Sequence, residues 1–138
     1  MRRWKEDIRG IGGLDYIIFK SVPMRESKWG DVIDSNPGVM ERLAAEALIL
    51  VRVPLRGLEV KFLRKSLKMT FDKFATELGI SPSTVCKWEQ KPEERLQPFN
   101  EAALRAFFAE HMGIEIPGKL SALVGTKETP EEIVLKAS

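Results

Sequence analysis

The sequence predicts a mainly α-helical protein, α+β overall, in which a small N-terminal β-hairpin and one helix precede a compact bundle of helices. Two observations predict this fold class. Tyr16–Val22 is rich in β-branched and aromatic residues, whereas most later apolar residues recur at helical spacing. Between Thr70 and Gln90, two short helical patterns are joined by Gly79. We therefore expect three parts: the hairpin and its helix over 1–54, the bundle over 55–113 and a tail over 114–138.

The β-hairpin is expected near the start of the chain. Its strands are the apolar stretches Tyr16–Val22 and Trp29–Ile33, and the polar link Arg25–Lys28 lies between them. Gly10–Gly13 precedes the first stretch and predicts a flexible lead-in, because a glycine-rich nucleotide-binding loop follows a strand instead.

Two helices are predicted between the hairpin and Thr70. The first starts at Asn36-Pro37 and ends before Pro54, and the second follows Gly57. Residues 44–51 form an apolar run, for which burial in the core and a dimer contact are both open. The apolar residues at helical spacing are Met40, Leu43, Ala44, Ala47, Leu48 and Val51 in the first helix, and Leu58, Val60, Phe62, Leu63 and Leu67 in the second.

The segment from Thr70 to Gln90 predicts two short helices around a sharp turn. Thr70 is placed to cap the first helix, and Gly79 tolerates the positive φ that the chain needs where this helix ends. Ser81 is placed to cap the second helix, and Pro82 stands at its first position, where a missing N–H costs nothing. One apolar stripe runs along the first helix through Phe71, Phe74, Ala75 and Leu78. Ile80 can pack back onto this helix, and Val85 and Trp88 share the inward face of the second.

The outer face of the second helix is small and polar. Pro82, Ser83, Cys86 and Lys87 share this face at helical spacing. Small side chains let a helix approach base edges closely, and a lysine reaches a phosphate or a guanine edge. This face therefore predicts contact with a groove of double-stranded DNA.

The residues LRKSLKMTFDKFATELGISPSTVCKWEQ resemble the Xre/Cro type of helix-turn-helix over roughly Val60–Glu89. The resemblance implies that the helix from Ser81 to Glu89 is a recognition helix in the major groove, while the preceding helix crosses the phosphate backbone. Two positions depart from the family pattern, since Phe71 replaces a glutamine that often touches DNA and Pro82 replaces a frequent polar base reader. The contacts implied by position are Ser81, Pro82, Ser83, Thr84 and Lys87, with Thr70 and Lys73 on the backbone.

This resemblance implies transcriptional regulation through sequence-specific DNA binding. A symmetric homodimer places its recognition helices on half-sites about 34 Å apart, so a palindromic operator is expected. A looser resemblance, over about Leu14–Gly113, relates the chain to MqsA-type antitoxins, although their N-terminal zinc-binding cysteines are absent here. An antitoxin that binds a toxin protein and represses its own operon is therefore one alternative. A protein-binding scaffold that does not bind DNA is another.

Charge favours the same segment as the DNA-binding surface. Residues 56–91 hold eight basic and four acidic side chains, whereas residues 92–138 hold five basic and eight acidic ones. The formal charge of the whole chain is only +2. Because a concentrated positive surface attracts a phosphate backbone, the local basic excess favours DNA as the partner.

Composition argues against other classes of function. The single cysteine and single histidine, Cys86 and His111, supply neither an internal disulfide nor a zinc set, and their positions imply no catalytic partner. We expect no enzyme activity, no metal and no cofactor. No apolar run approaches the roughly 20 residues of a membrane span, and Met1–Lys5 leads into charged residues rather than a signal-peptide core. A cytoplasmic protein is expected.

One more helix is predicted after the two-helix segment. Lys91–Pro98 is a polar connection, after which Asn100 is placed to cap a helix that ends at Gly113. Phe107 and Phe108 lie on the apolar face of this helix. They close the core or form a dimer surface, and the sequence leaves both open.

The tail from Ile114 onward is broken by glycine and proline. Thr129 and Glu132 stand three residues apart in a capping-box pattern, which predicts a short terminal helix. A mobile end, or one ordered by a partner, is the alternative for this tail.

Overall fold

The computed structural model describes residues 2–115 and 118–136. Within these residues the chain forms five α-helices and a four-stranded sheet, which confirms the α+β class. The chain divides into two compact units. One runs up to Ala44 and takes in the segment from Pro130 onward, and the other is Ala45–Thr129. The first unit is therefore built from two distant parts of the sequence.

The first unit contains the sheet. Its strands are β1 (Arg3–Arg9), β2 (Ile17–Ser27), β3 (Gly30–Ile33) and β4 (Ile133–Lys136). β2 is the central strand, since it pairs antiparallel with β1 and β3 and parallel with β4. Its apolar side chains supply half of the buried hydrophobic residues of this unit, namely Ile17, Ile18, Phe19, Val22 and Met24.

A hairpin exists as β2 and β3, but it pairs Met24–Ser27 with Gly30–Ile33, whereas Ile17–Val22 of the predicted strand pairs with β1 and β4. The sheet is also larger than expected. Arg25–Ser27, predicted as part of a link, continues β2, and only Lys28 and Trp29 form the turn. β1 precedes the hairpin and was missed because charged residues fill this edge strand, a common protection of sheet edges. The glycine-rich segment 10–13, expected only to precede a strand, also follows β1, and Ile11–Gly13 forms one turn of 3-10 helix.

The predicted terminal helix is wrong. Ile133–Lys136 forms β4, which pairs with Ile17–Lys20 of β2. The N–H of Ile133 also donates to the carbonyl oxygen of Tyr16 over 2.8 Å. Ile133 is 8% exposed and Val134 is 56% exposed, as the alternating faces of a strand require. The capping-box pattern at Thr129 carried no information about a strand partner so far away in the sequence.

The second unit is helical. Its helices are α2 (Gly57–Ser66), α3 (Phe71–Leu78), α4 (Pro82–Glu89) and α5 (Pro98–Met112), while α1 (Pro37–Leu50) contains the boundary between the units. The predicted helix starts and ends in this region agree with these bounds to within a few residues, except at the start of α5. The fully buried side chains of this unit include Leu63, Phe74, Ala75, Val85, Leu104 and Phe108.

α5 begins at Pro98, so the predicted cap at Asn100 is wrong. Gln97 occupies the N-cap position without a side-chain cap bond, and proline at the first helical position supplies the required φ. The helix ends as predicted at Gly113, whose φ is 70°. Phe108 is fully buried and its ring stacks on that of Phe74 with the centroids 5.6 Å apart, which places this part of α5 in the core.

A buried polar network holds the chain that follows α5. Arg105, which is 2% exposed, donates over 2.6 Å to the carbonyl oxygens of Val53 and Leu123, and lies 3.4 Å from the Glu101 carboxylate. Glu101 is fully buried and also accepts from the N–H of Gly125. Burial lowers the pKa of the Arg105 guanidinium, while the neighbouring Glu101 acts to raise it. The segment around residues 123–125 is therefore bound into the helical unit.

Candidate nucleic-acid interface

α3 begins and ends where the sequence predicts. The Thr70 hydroxyl accepts a hydrogen bond from the N–H of Lys73 over 3.2 Å, as an N-cap does. Gly79 adopts a φ of 71° at the end of the helix. The N–H of Ile80 then donates back to the carbonyl oxygen of Ala75 over 3.0 Å. This bond closes the helix end and fixes the direction in which the chain leaves it.

α4 starts with a cluster of hydroxyl groups. Ser81 caps the helix, since its oxygen accepts from the N–H of Thr84 over 3.3 Å. The same oxygen lies 2.6 Å from that of Ser83. Ser81, Pro82 and Ser83 are exposed and Thr84 is half-buried. The start of α4 therefore presents small, uncharged, hydrogen-bonding side chains to solvent.

The core beneath the two helices is only partly the predicted one. Ala75 and Val85 are fully buried, while Leu78, Ile80 and Trp88 are half-buried. These two helices are short, so each supplies one or two fully enclosed side chains and depends on α2 and α5 for the remaining core.

Phe71 does not belong to this core, which corrects the prediction. Its side chain is 36% exposed, and the guanidinium carbon of Arg64 lies 4.3 Å from the centre of its ring. This distance is that of a cation–π contact. Phe71 is the first residue of α3 and lies outside the core, so its ring packs on an arginine of α2 instead.

A buried ion pair joins α4 to α2. Two nitrogens of Arg64 contact the two carboxylate oxygens of Glu89, at 2.7 and 2.9 Å, and a third donates to the carbonyl oxygen of Met69 over 2.8 Å. The side chains are only 9% and 6% exposed. Paired hydrogen bonds of this kind restrict rotation as well as distance, so they orient α4 about its axis. The sequence prediction missed this pair, because its two residues lie 25 positions apart on different helices.

Gly57 allows the start of α2 to lie directly against the end of α4. A β-carbon at this position would overlap the carbonyl oxygen of Trp88 and stand 2.7 Å from that of Lys91. The N–H of Gly57 donates to the carbonyl oxygen of Glu94 over 3.2 Å. The end of α4 is therefore held by the backbone as well as by the ion pair. Sequence reasoning recognised this glycine only as the residue ahead of a helix.

The arginines of the basic segment are used inside the protein. Arg56 contacts Glu59 at 2.7 Å, and Arg64 is paired with Glu89. Lysine carries a compact charge without the planar fork that lets arginine bind guanine through two bonds. The exposed positive charge of residues 56–91 therefore suits phosphate better than bidentate base recognition. It is carried by Lys61, Lys65, Lys68, Lys73, Lys87 and Lys91.

The predicted contact residues form two groups and one separate position. Thr70 and Lys73 are joined by the cap bond at the start of α3. The hydroxyl groups of Ser81, Ser83 and Thr84 cluster at the start of α4, with Pro82 among them. Lys87 is exposed one turn later and lines a groove of about 120 Å³.

Two other side chains raised by the sequence lie at the edges of this region. His111 of α5 places Nε2 3.6 Å from the Glu77 carboxylate of α3. Cys86 is half-buried on α4. Neither has the surroundings of a nucleophile and its base, because the described contacts of His111 are to Glu77 and to the ring of Phe107.

Wider comparisons do not add to this geometry. In the described part of the chain, no group of three or more His, Cys, Asp or Glu side chains could hold a metal ion. No helix in residues 2–115 and 118–136 is long and apolar enough to cross a membrane. No family model, curated protein or solved structure matches this chain. The functional conclusion therefore rests on the residues themselves.

Proposed function

We propose that this protein is a sequence-specific DNA-binding transcriptional regulator that places α4 in the major groove of its operator. The observation that supports this proposal best is the arrangement of α3 and α4 around Gly79, with the start of α4 exposed, small and polar. An α-helix fits the major groove, and serine and threonine hydroxyls hydrogen-bond to either base of a pair. Short side chains permit the close approach that such contacts need.

Each predicted contact residue of α3 and α4 has a role in this proposal. Ser83 and Thr84 contact base edges, and Pro82 makes an apolar contact such as one with a thymine methyl group. Ser81 holds the helix start through its cap bond and orients Ser83. The backbone phosphates are contacted by Thr70, Lys73 and Lys87.

The packing of α4 supports the proposal because it fixes the helix before DNA is bound. The Arg64–Glu89 pair and the close approach at Gly57 hold the far end of α4, while Ser81 caps the near end. A surface that is already ordered loses little conformational entropy on binding. The helix therefore meets the operator as a rigid element.

The regulator acts in the cytoplasm as a symmetric homodimer in this proposal. Two copies of α4 related by a two-fold axis require half-sites about 34 Å apart on one face of the duplex. A footprint on a palindromic sequence with this spacing supports the dimer. A footprint of one half-site, with a monomer in analytical ultracentrifugation, contradicts it.

The experiment that tests DNA binding is fluorescence anisotropy with DNA from upstream of the gene and with a library of random duplexes. We expect saturable binding whose affinity falls steeply as salt rises. The variant Ser83→Ala with Lys87→Ala is expected to bind at least about tenfold more weakly, because two direct contacts are removed. The absence of any bound duplex contradicts the proposal.

The matched control changes the same residue types elsewhere in the helical unit. Lys119 and Ser121 are exposed, and the only described hydrogen bond of Ser121 is made by its backbone carbonyl. Lys119→Ala with Ser121→Ala is expected to bind DNA like the unaltered protein. If neither the unaltered protein nor either double variant binds DNA, while all three still bind the same partner proteins, the protein-binding scaffold replaces the regulator.

An antitoxin is the second candidate, and the N-terminal unit favours it. Trp29 in the β2–β3 turn is 84% exposed, and the ammonium of Lys28 lies 5.1 Å from the centre of its ring. Tryptophan is enriched among the few residues that carry most of the binding energy at protein–protein interfaces. A toxin-like reading frame next to this gene, and a complex that Trp29→Ala abolishes without affecting DNA binding, support this candidate. An isolated gene with no co-purifying protein contradicts it.

A further inference from the structure

A small groove opens beside the exposed face of α4. It lies between the end of α4, the connection that follows and the first turn of α5, and it encloses about 120 Å³. That volume holds several water molecules but is well below that of a drug-sized ligand site. The groove therefore fits a chemical group of few atoms. Its polar lining consists of Lys87, Lys91, Glu94, Arg95, Gln97 and Asn100.

The charged side chains that line the groove have a net positive charge. Arg95 is committed to Glu101, which it contacts at 2.9 and 3.1 Å. Lys91 lies 3.7 Å from Glu94, but these side chains are 66% and 67% exposed, so water weakens their attraction. Among residues 2–115 and 118–136, the ion pairs of the structure leave Lys87 without an acidic partner. Lys87 is therefore a cation that an outside anion can bind.

The lining favours a phosphate group over a carboxylate. Two lysines, Gln97 and Asn100 line this small space, and their side chains carry several N–H donors. A phosphate monoester has three acceptor oxygens and a charge of about −1.5 to −2 at neutral pH, whereas a carboxylate has two oxygens and one charge. We propose that the groove binds the phosphate group of a small phosphate monoester and that this binding weakens DNA binding by α4.

The coupling depends on Lys87 and rests on the proposed regulator function. Of the DNA contacts proposed on α4, Lys87 alone is charged, since the others are Ser81, Pro82, Ser83 and Thr84. A phosphate in the groove binds the Lys87 ammonium and adds negative charge beside the duplex. DNA and the monoester therefore oppose each other, and each weakens the other by the same factor.

The first experiment measures binding without DNA. The full-length protein is titrated with inorganic phosphate and with glycerol phosphate at constant ionic strength, and the side-chain amide NMR signals of Gln97 and Asn100 are followed. We expect saturable shifts. Lys91→Met is expected to weaken binding roughly tenfold through the loss of one charged hydrogen bond. Glu94→Gln is expected to tighten it, which damage to the fold does not do.

The control for these variants is Lys65→Met, which removes an exposed lysine of α2 outside the groove. It is expected to bind phosphate like the unaltered protein. Signals that do not saturate, or equal affinities in Lys91→Met and Lys65→Met, overturn the proposed site. Shifts caused by duplex DNA but not by either phosphate compound overturn it as well, because the groove then takes only a backbone phosphodiester.

The second experiment measures the coupling. DNA affinity is determined with glycerol phosphate or with chloride at the same ionic strength, since salt alone weakens DNA binding. Glycerol phosphate is expected to weaken DNA binding of the unaltered protein and of Lys65→Met, and to have a reduced effect on Lys91→Met. An equal effect on all three overturns the coupling. If no duplex binds at all, the regulator function fails while the phosphate titration still stands; if duplex binds and the titration is silent, only this inference fails.

Discussion

The two units differ in how far apart in the sequence their decisive contacts lie. In the helical unit, α3 and α4 are started by cap bonds between residues three apart, Thr70 with Lys73 and Ser81 with Thr84. In the sheet unit, the central strand β2 is completed by β4, whose Ile133 comes from near the other end of the chain. Local contacts leave patterns in the sequence. Pairing between distant strands leaves only short apolar runs, whose partners cannot be identified from the runs alone.

The helical unit also contains distant contacts, and the Arg64–Glu89 pair is the one that joins α4 to α2. The cap at Ser81 decides where α4 begins, and the ion pair holds α4 in its orientation against α2. This pair joins residues of different helices, as β4 joins β2. Local residues therefore define where helices and strands begin and end, and distant contacts orient or complete them.

Removing the distant contact of the helical unit is expected to have the largest effect. Glu89→Ala leaves the Arg64 guanidinium, which is 9% exposed, without its carboxylate. The loss of one partner of a buried pair costs about 3–5 kcal/mol. We expect a fall of this size in the free energy of unfolding, measured by urea denaturation, together with faster hydrogen exchange in α2 and α4. Glu110→Ala, on the exposed side of α5, is the control, and equal losses in the two variants contradict the orienting role.

Weakening the distant contact of the sheet unit is expected to cause the next largest loss of stability. Ile133→Ala shortens a side chain that is 8% exposed, which typically costs about 2–4 kcal/mol. Val134→Ala is the matched control because its side chain, next in the same strand, is 56% exposed. Thermal unfolding is expected to detect a large loss for the first and little for the second. Similar losses contradict the assignment of β4.

Removing a local contact is expected to have a smaller effect. Ser81→Ala deletes the N-cap of α4 and is expected to lower the free energy of unfolding by about 1 kcal/mol. Ser81→Asp keeps a capping oxygen, so its stability in urea denaturation should stay close to that of the unaltered protein. Its carboxylate is nevertheless expected to repel DNA phosphates in the anisotropy assay. A stable Ser81→Asp protein that binds DNA normally contradicts the placement of Ser81 at the duplex.

The smallest change in stability is expected from replacing Asp7, an exposed residue of β1. The N–H of Ser21 and the ammonium of Lys20 donate to the Asp7 carboxylate and lower its pKa. Because the folded pKa lies below the unfolded one, this stabilisation is present above the ordinary carboxyl pKa and is lost as the pH falls through the folded value. Asp7→Asn should therefore lessen the decline of stability in acid, as measured by urea denaturation across this range. Lys20→Met should keep most of that decline, since the Ser21 bond remains the larger cause.

The elements of the candidate interface were predictable because their signals are short-range. Thr70, Gly79 and Ser81 each specify backbone geometry within four residues, and all three occupy the predicted positions. Asn100 failed as a cap because Pro98 had already started α5. Prediction failed for β1 and β4 because their residues are assigned by pairing with β2 rather than by their own periodicity.

The chemistry of the interface was only partly predictable. Spacing placed Ser83 on the outer face of α4, and the family resemblance implied Ser81 and Thr84 beside it; the structure brings the three hydroxyl groups together. The burial of Arg64 was not predictable, since its partner Glu89 lies on another helix and meets it only once the helices are packed. The phosphate-sized groove was invisible for the same reason, because it combines the end of α4 with the start of α5.

The sequence by itself determined where the two helices of the candidate interface begin, where the chain turns between them and which small residues α4 presents, because caps and glycine conformations act within single turns. Only the tertiary structure decided which charges remain available to a ligand. Arg64 is enclosed by Glu89, whereas Lys87 is left exposed at the groove. The physical reason is that an ion pair depends on the distance between two charged groups in space, which the spacing of residues along the chain does not specify.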